Sequence, residues 1–145
     1  MYYIENENET RPNECGRQNT MKTQEVKEAR ERLTEEFVRI IGVSPDEGVR
    51  WRGTVRDLME AAHVVYTNGT VRNGEGCICT FRELAARACE VLHVNMPGNP
   101  SAVAYQGERR KGVRRGPFIE RYALQLFRSG VEHPLAAMIE GYPIV

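Results

Sequence analysis

No stretch of this 145-residue chain approaches the roughly 18 consecutive apolar residues that a membrane-spanning helix needs. Its opening residues, MYYIENENETRPNECG, have neither a basic start nor an apolar run, so no secretory leader is expected. There is no Walker-type phosphate loop, no His-Glu-x-x-His and no Gly-x-Ser-x-Gly, the patterns that build the commonest hydrolytic sites. The three histidines, His63, His93 and His133, fall on separate segments and are read as ordinary surface residues. Tyr105 stands just before an arginine cluster, but the metal-binding histidine pair of a DNA-nicking enzyme is missing. No catalytic constellation, cofactor or small-molecule substrate is expected.

Cysteine is also sparse: Cys15, Cys77, Cys79 and Cys89. Without an export signal they read as reduced thiols of a cytoplasmic protein. Cys77, Cys79, Cys89 and His93 have the ligand count of a zinc site. The paired Cys-x-x-Cys spacing of known zinc modules is absent, so buried thiols and one surface imidazole are the reading preferred.

What remains is a polar, mainly helical pattern of one-domain size, with hydrophobic residues at 41% and charged ones at 28%. Residues 1–20 are rich in Asn and Glu and read as a disordered leader or a loosely docked arm. Residues 21–48 hold an amphipathic helix and a linker. Val26, Ala29, Leu33, Phe37 and Ile40 recur at spacings of three and four, and Gly42 follows as a cap. The stripe Val26, Leu33, Phe37, Ile40 is the candidate contact for a homodimer.

Residues 49–145 form the main domain. Thr54 caps a helix whose apolar face is Val55, Leu58, Met59, Ala62, Val65 and Tyr66, and Asn68-Gly69 ends it. Glycines then lead to a short extended piece near Cys77–Cys79. Thr80-x-x-Glu83 is a capping-box pattern before Phe81, Leu84, Ala85, Ala88 and Leu92. Asn99-Pro100 starts a further helix predicted to reach Lys111, with Gly107 as its weak point and a poor apolar pattern. A last long helix begins near Pro117. Trp51, Phe81, Leu84, Leu92, Phe118 and Tyr122 are the expected core.

Net charge is zero, yet it is unevenly spread. Residues 1–50 carry a balance of −3, residues 51–128 carry +5 and residues 129–145 carry −2. Half of GERRKGVRRG, residues 107–116, is Arg or Lys. Arginine forks bind two phosphate oxygens at once, and several of them release counterions from a duplex. Arg109, Arg110, Lys111, Arg114 and Arg115 are therefore the candidate phosphate contacts. Asn99, Ser101, Tyr105 and Gln106, on the preceding helix, are polar groups able to reach phosphates or base edges. A basic run can equally dock an acidic protein partner or the acidic N-terminal helix. A protein-interaction module is thus the alternative reading.

Several short motifs in order resemble the C-terminal part of RteC-type regulators, found on conjugative transposons of Bacteroidetes. They are Trp51-Arg52-Gly53, Asp57-Leu58-Met59-Glu60, Tyr66-x-Asn68-Gly69, Asn73-Gly74 and Phe81-Arg82-Glu83-Leu84-Ala85. Gly98-Asn99, Glu108-Arg109-Arg110-Lys111 and Arg115-x-x-Phe118 continue the series, so the likeness covers about residues 49–128. The resemblance implies a winged-helix or helix-turn-helix domain that binds double-stranded DNA. It implies transcriptional regulation of excision and transfer of a mobile element. It also implies a recognition helix at Pro100–Lys111 with the basic turn Val113–Arg115 at the DNA. The chain departs from the family in having one helix where its members have a larger N-terminal domain. Pro100-Ser101-Ala102-Val103-Ala104 also replaces an aromatic-rich stretch.

Overall fold

Helix boundaries follow the caps that the residues supply. The computed structural model describes residues 2–4, 21–108 and 116–142. Among them the chain is mainly helical. Its helices are α1 (Met21–Ile41), α2 (Val55–Asn68), α3 (Phe81–Leu92), α4 (Pro100–Glu108) and α5 (Phe118–Phe127). Two short antiparallel ladders complete it: β1 (Tyr3–Ile4) with β3 (Val71–Arg72), and β2 (Arg50–Trp51) with β4 (Ile139–Glu140). The strand pair β1–β3 places Tyr3 opposite Arg72 and Ile4 opposite Val71, so two residues of the segment read as a leader are in a sheet. No described helix is long and apolar enough to cross a membrane.

Thr54 Oγ1 accepts from Asp57 N at 3.0 Å and Thr80 Oγ1 from Glu83 N at 3.1 Å, each satisfying a first-turn amide. The Glu83 carboxylate accepts from Asn73 Nδ2 at 3.3 Å, which ties the Asn73–Cys77 turn to α3. Gly69 ends α2 with φ +69°, the left-handed conformation glycine tolerates best. The expected glycine cap of α1 takes another form. Gly42 N closes a tight turn on Arg39 O, and Arg87 of α3 donates to the carbonyls of Ile41 at 2.8 Å and Val43 at 3.2 Å. A cation there meets the negative end of the helix dipole.

α2 is the central helix, packed on by α1, α3, α4 and α5. That explains why Asp57, Leu58, Met59, Glu60, Ala61, Ala62, Val64 and Val65 are all buried, far more than one stripe. Two expected inward residues of α2, Val55 and Tyr66, are exposed at its ends. Phe81, Leu84, Leu92, Phe118 and Tyr122 are core, and Trp51 packs at its edge.

The α1 stripe is turned into this core. Ala29, Leu33, Phe37 and Ile40 are at most 2% exposed, covered by α2, α3 and α5 of the same chain. Of the stripe proposed for a dimer contact, Leu33, Phe37 and Ile40 are thus already occupied within the chain, and Val26 alone is only half-buried.

A buried carboxylate locks that wall to the C-terminal part. Glu36 accepts from the Tyr122 hydroxyl and from the backbone amides of Leu135 at 3.3 Å and Ala136 at 2.9 Å. Three donors compensate the desolvation of a group only 4% exposed. Burial, then the hydrogen bond to Glu36, raises the Tyr122 hydroxyl well above the ordinary tyrosine range.

Candidate nucleic-acid interface

α4 starts as its residues predict. Asn99 Oδ1 accepts from Ala102 N at 3.2 Å, with Pro100 at the first helical position, where a missing N–H costs nothing. Its inner face is made of Pro100, Ala104 and Gly107, spaced four and three apart. These small residues let α4 lie close on α2. At Gly107 the approach is closest: a Cβ there would overlap the Glu60 carboxylate. Gly107, read from the sequence as a weak point, is the packing contact of this helix.

The outer face carries Ser101, Tyr105 and Gln106, all exposed, and Tyr105 is 57% exposed. Asn99 is exposed at the helix start. The structure thus brings Asn99, Ser101, Tyr105 and Gln106 onto one solvent-facing element. Arg109, Arg110, Lys111, Arg114 and Arg115 lie outside the described residues, as does the end of the helix predicted to reach Lys111.

The residues on either side of the basic stretch are held by α2. Asp57 and Glu60, three apart, share one face of that helix. Arg121 grips Asp57 with both ends of its fork, Nη2 to Oδ1 at 2.6 Å and Nη1 to Oδ2 at 3.3 Å. The third arm, Nε, donates to the Gly116 carbonyl at 3.0 Å. The guanidinium also lies over the Phe118 ring, 5.6 Å from its centroid. Arg121 belongs to the basic count of this region, but three of its five N–H donors are engaged within the fold.

Glu60 is 1% exposed. Its Oε1 accepts from Phe118 N at 2.8 Å. α5 begins at Pro117, which offers no side-chain cap, so a carboxylate from α2 takes the first amide at the positive end of the helix. Glu60 therefore faces both Gly107 and Phe118. Asp57, Glu60 and Arg121 were not among the site residues expected. Asp57 has an evident local role beside the Thr54 cap, and no local signal distinguishes a buried carboxylate from a solvated one.

Among the described residues, no three His, Cys, Asp or Glu side chains are placed to hold a metal ion. Cys79 and Cys89 are buried, and burial pushes their thiols up to about 11. Cys77 is exposed. His93 Nε2 lies 3.0 Å from the Pro45 carbonyl. His63 is half-buried rather than superficial, edge-on to Phe81 at 5.4 Å between ring centroids. That placement follows from α3 starting against α2.

No family model, no curated protein and no solved structure matches this chain.

Proposed function

We propose that this chain is a non-catalytic, sequence-specific regulator that binds double-stranded DNA, with α4 as the element entering the major groove. One observation carries the reading. α4 buries only small residues, turns Ser101, Tyr105 and Gln106 outward, and runs directly into a stretch with five arginine or lysine residues in seven. A helix with a polar outer face and a basic end suits a groove whose walls are phosphates. Arg109, Arg110, Lys111, Arg114 and Arg115 hold phosphates in this reading, and Ser101, Tyr105 and Gln106 read base edges, with Asn99 fixing the start of the helix. In this reading α4 is the recognition helix of a helix-turn-helix or winged-helix arrangement, with α2, on which it packs, as its support. The resemblance to RteC-type regulators points to the excision or transfer operon of a mobile element, in the cytoplasm, as the target.

The test is fluorescence anisotropy of labelled duplexes from upstream of the chain's own gene and the neighbouring operon, titrated at several salt concentrations. Saturable binding is expected, with a log–log salt slope several units negative. In Arg109→Ala/Arg110→Ala/Lys111→Ala the slope becomes shallower by roughly 0.9 for each phosphate no longer neutralised. A folded chain that binds no duplex at low salt refutes the reading, and an acidic protein partner becomes the function to pursue.

A further inference from the structure

We infer that Asp57 and Glu60 are positioning residues for this interface: two acidic side chains on which the binding of a polyanion depends. The inference rests on the DNA-binding reading and concerns groups that would not themselves touch DNA. Both are on α2, at most 6% exposed, and both are engaged at the flanks of the basic stretch. Before it, Gly107 of α4 lies against the Glu60 carboxylate with no space for a side chain. After it, Phe118 N is bonded to Glu60, and Gly116 O is bonded to Arg121, which Asp57 holds. One face of one helix therefore sets the angle of α4 and the place where the chain re-enters the fold at α5. Fixed geometry of this kind is what lets several contacts form together on a rigid duplex.

Simple electrostatics makes the opposite prediction. A carboxylate near phosphates repels them, so neutralising it strengthens binding. Asp57→Asn and Glu60→Gln each add one unit of positive charge. Arg121→Lys leaves net charge unchanged but cannot span the Asp57 carboxylate and the Gly116 carbonyl together. Positioning predicts that all three weaken binding.

The experiment measures duplex affinity of the full chain and these three variants at one salt concentration. Trypsin cleavage at residues 109–115 and amide exchange at Phe118 are measured without DNA. Tyr122→Phe, which loosens the opposite side of α5, serves as a destabilised control. Expected are affinities at least 10-fold weaker for each of the three variants, faster cleavage, and faster Phe118 exchange in Glu60→Gln, with Tyr122→Phe binding like wild type. Should Glu60→Gln fail to fold, Arg121→Lys, at a half-buried site, carries the test. A folded variant that binds as tightly as wild type or more tightly overturns the inference, and so does an equal loss in Tyr122→Phe. If wild type binds no duplex, the DNA reading falls alone. Faster cleavage in the variants then upholds the anchoring, and unchanged cleavage overturns it.

Discussion

Tyr122 of α5 donates its hydroxyl to Glu36 of α1, across a boundary whose rim also holds the Arg128–Glu25 ion pair. Removing the hydroxyl leaves a buried carboxylate with two backbone donors instead of three. Tyr122→Phe is therefore expected to cost about 1–3 kcal/mol, the range for stranding one buried polar partner. Glu36→Ala strands the Tyr122 hydroxyl and two amides together and is expected to cost more. Urea unfolding of both variants checks the order, and a Tyr122→Phe variant as stable as wild type refutes it.

Gly107→Ala separates packing from backbone propensity. In an open helix alanine gains about 1 kcal/mol over glycine. Here the added methyl meets the Glu60 carboxylate, which Phe118 N holds in place. Overpacking should prevail, with a net loss of about 1–3 kcal/mol. A thermal or urea midpoint at or above wild type contradicts this.

Tyr105 and Gln106 should behave differently from Gly107. Both are exposed, and replacing Gln106 by alanine should change stability by less than about 0.5 kcal/mol. On a preferred duplex, removing one base-reading side chain should cost about 1–3 kcal/mol of discrimination and leave non-specific affinity nearly unchanged. Asn99→Ala is expected to lower stability by about 1 kcal/mol through the missing cap. Competition between preferred and random duplexes, run beside unfolding curves, tests the division.

The thiols supply a pH signature. Burial raises Cys79 and Cys89 from about 9 to about 11. Between those values the unfolded chain releases protons that the folded chain keeps. Stability must then fall as pH rises through this window, and is untouched by these groups below it. Urea midpoints at pH 8 and pH 10.5 should show the decline, and Cys89→Ala should lessen it. At pH 8, iodoacetamide should modify exposed Cys77 in the folded chain while Cys79 and Cys89 resist. Equal labelling of Cys77, Cys79 and Cys89 contradicts the burial.

Local signals were the legible ones. Thr54, Thr80 and Asn99-Pro100 each start a helix where they stand, because a cap involves only its next three residues. The inward residues of α3 and α5 follow from their spacing for the same reason. Features that depend on distant chain were not legible. Val55 and Tyr66 fit the apolar stripe of α2 but stay exposed at its two ends, Tyr66 reaching the Phe81 ring of α3. Asp57 and Glu60 look like solvated charges, and burial is imposed on them by α4 and α5, far along the chain. The pairing of Tyr3–Ile4 with Val71–Arg72 had no periodicity from which to read it. At the candidate interface the polar face of α4 was legible, and the carboxylates behind it were not.

The separation along the chain of the Glu36 contacts bears on how the molecule folds. Joining Glu36 to Ala136 closes a loop of 100 residues, whereas α2 and α3 are near neighbours in sequence. Loop-closure entropy favours the nearer pairing first. Phe81→Ala, in the α2–α3 contact, should mainly slow refolding, and Tyr122→Phe should mainly hasten unfolding. Stopped-flow chevrons would show the two variants shifting opposite limbs. The seal between α1 and the C-terminal residues then sets how long a folded molecule lasts, and the helix pair sets how soon it forms.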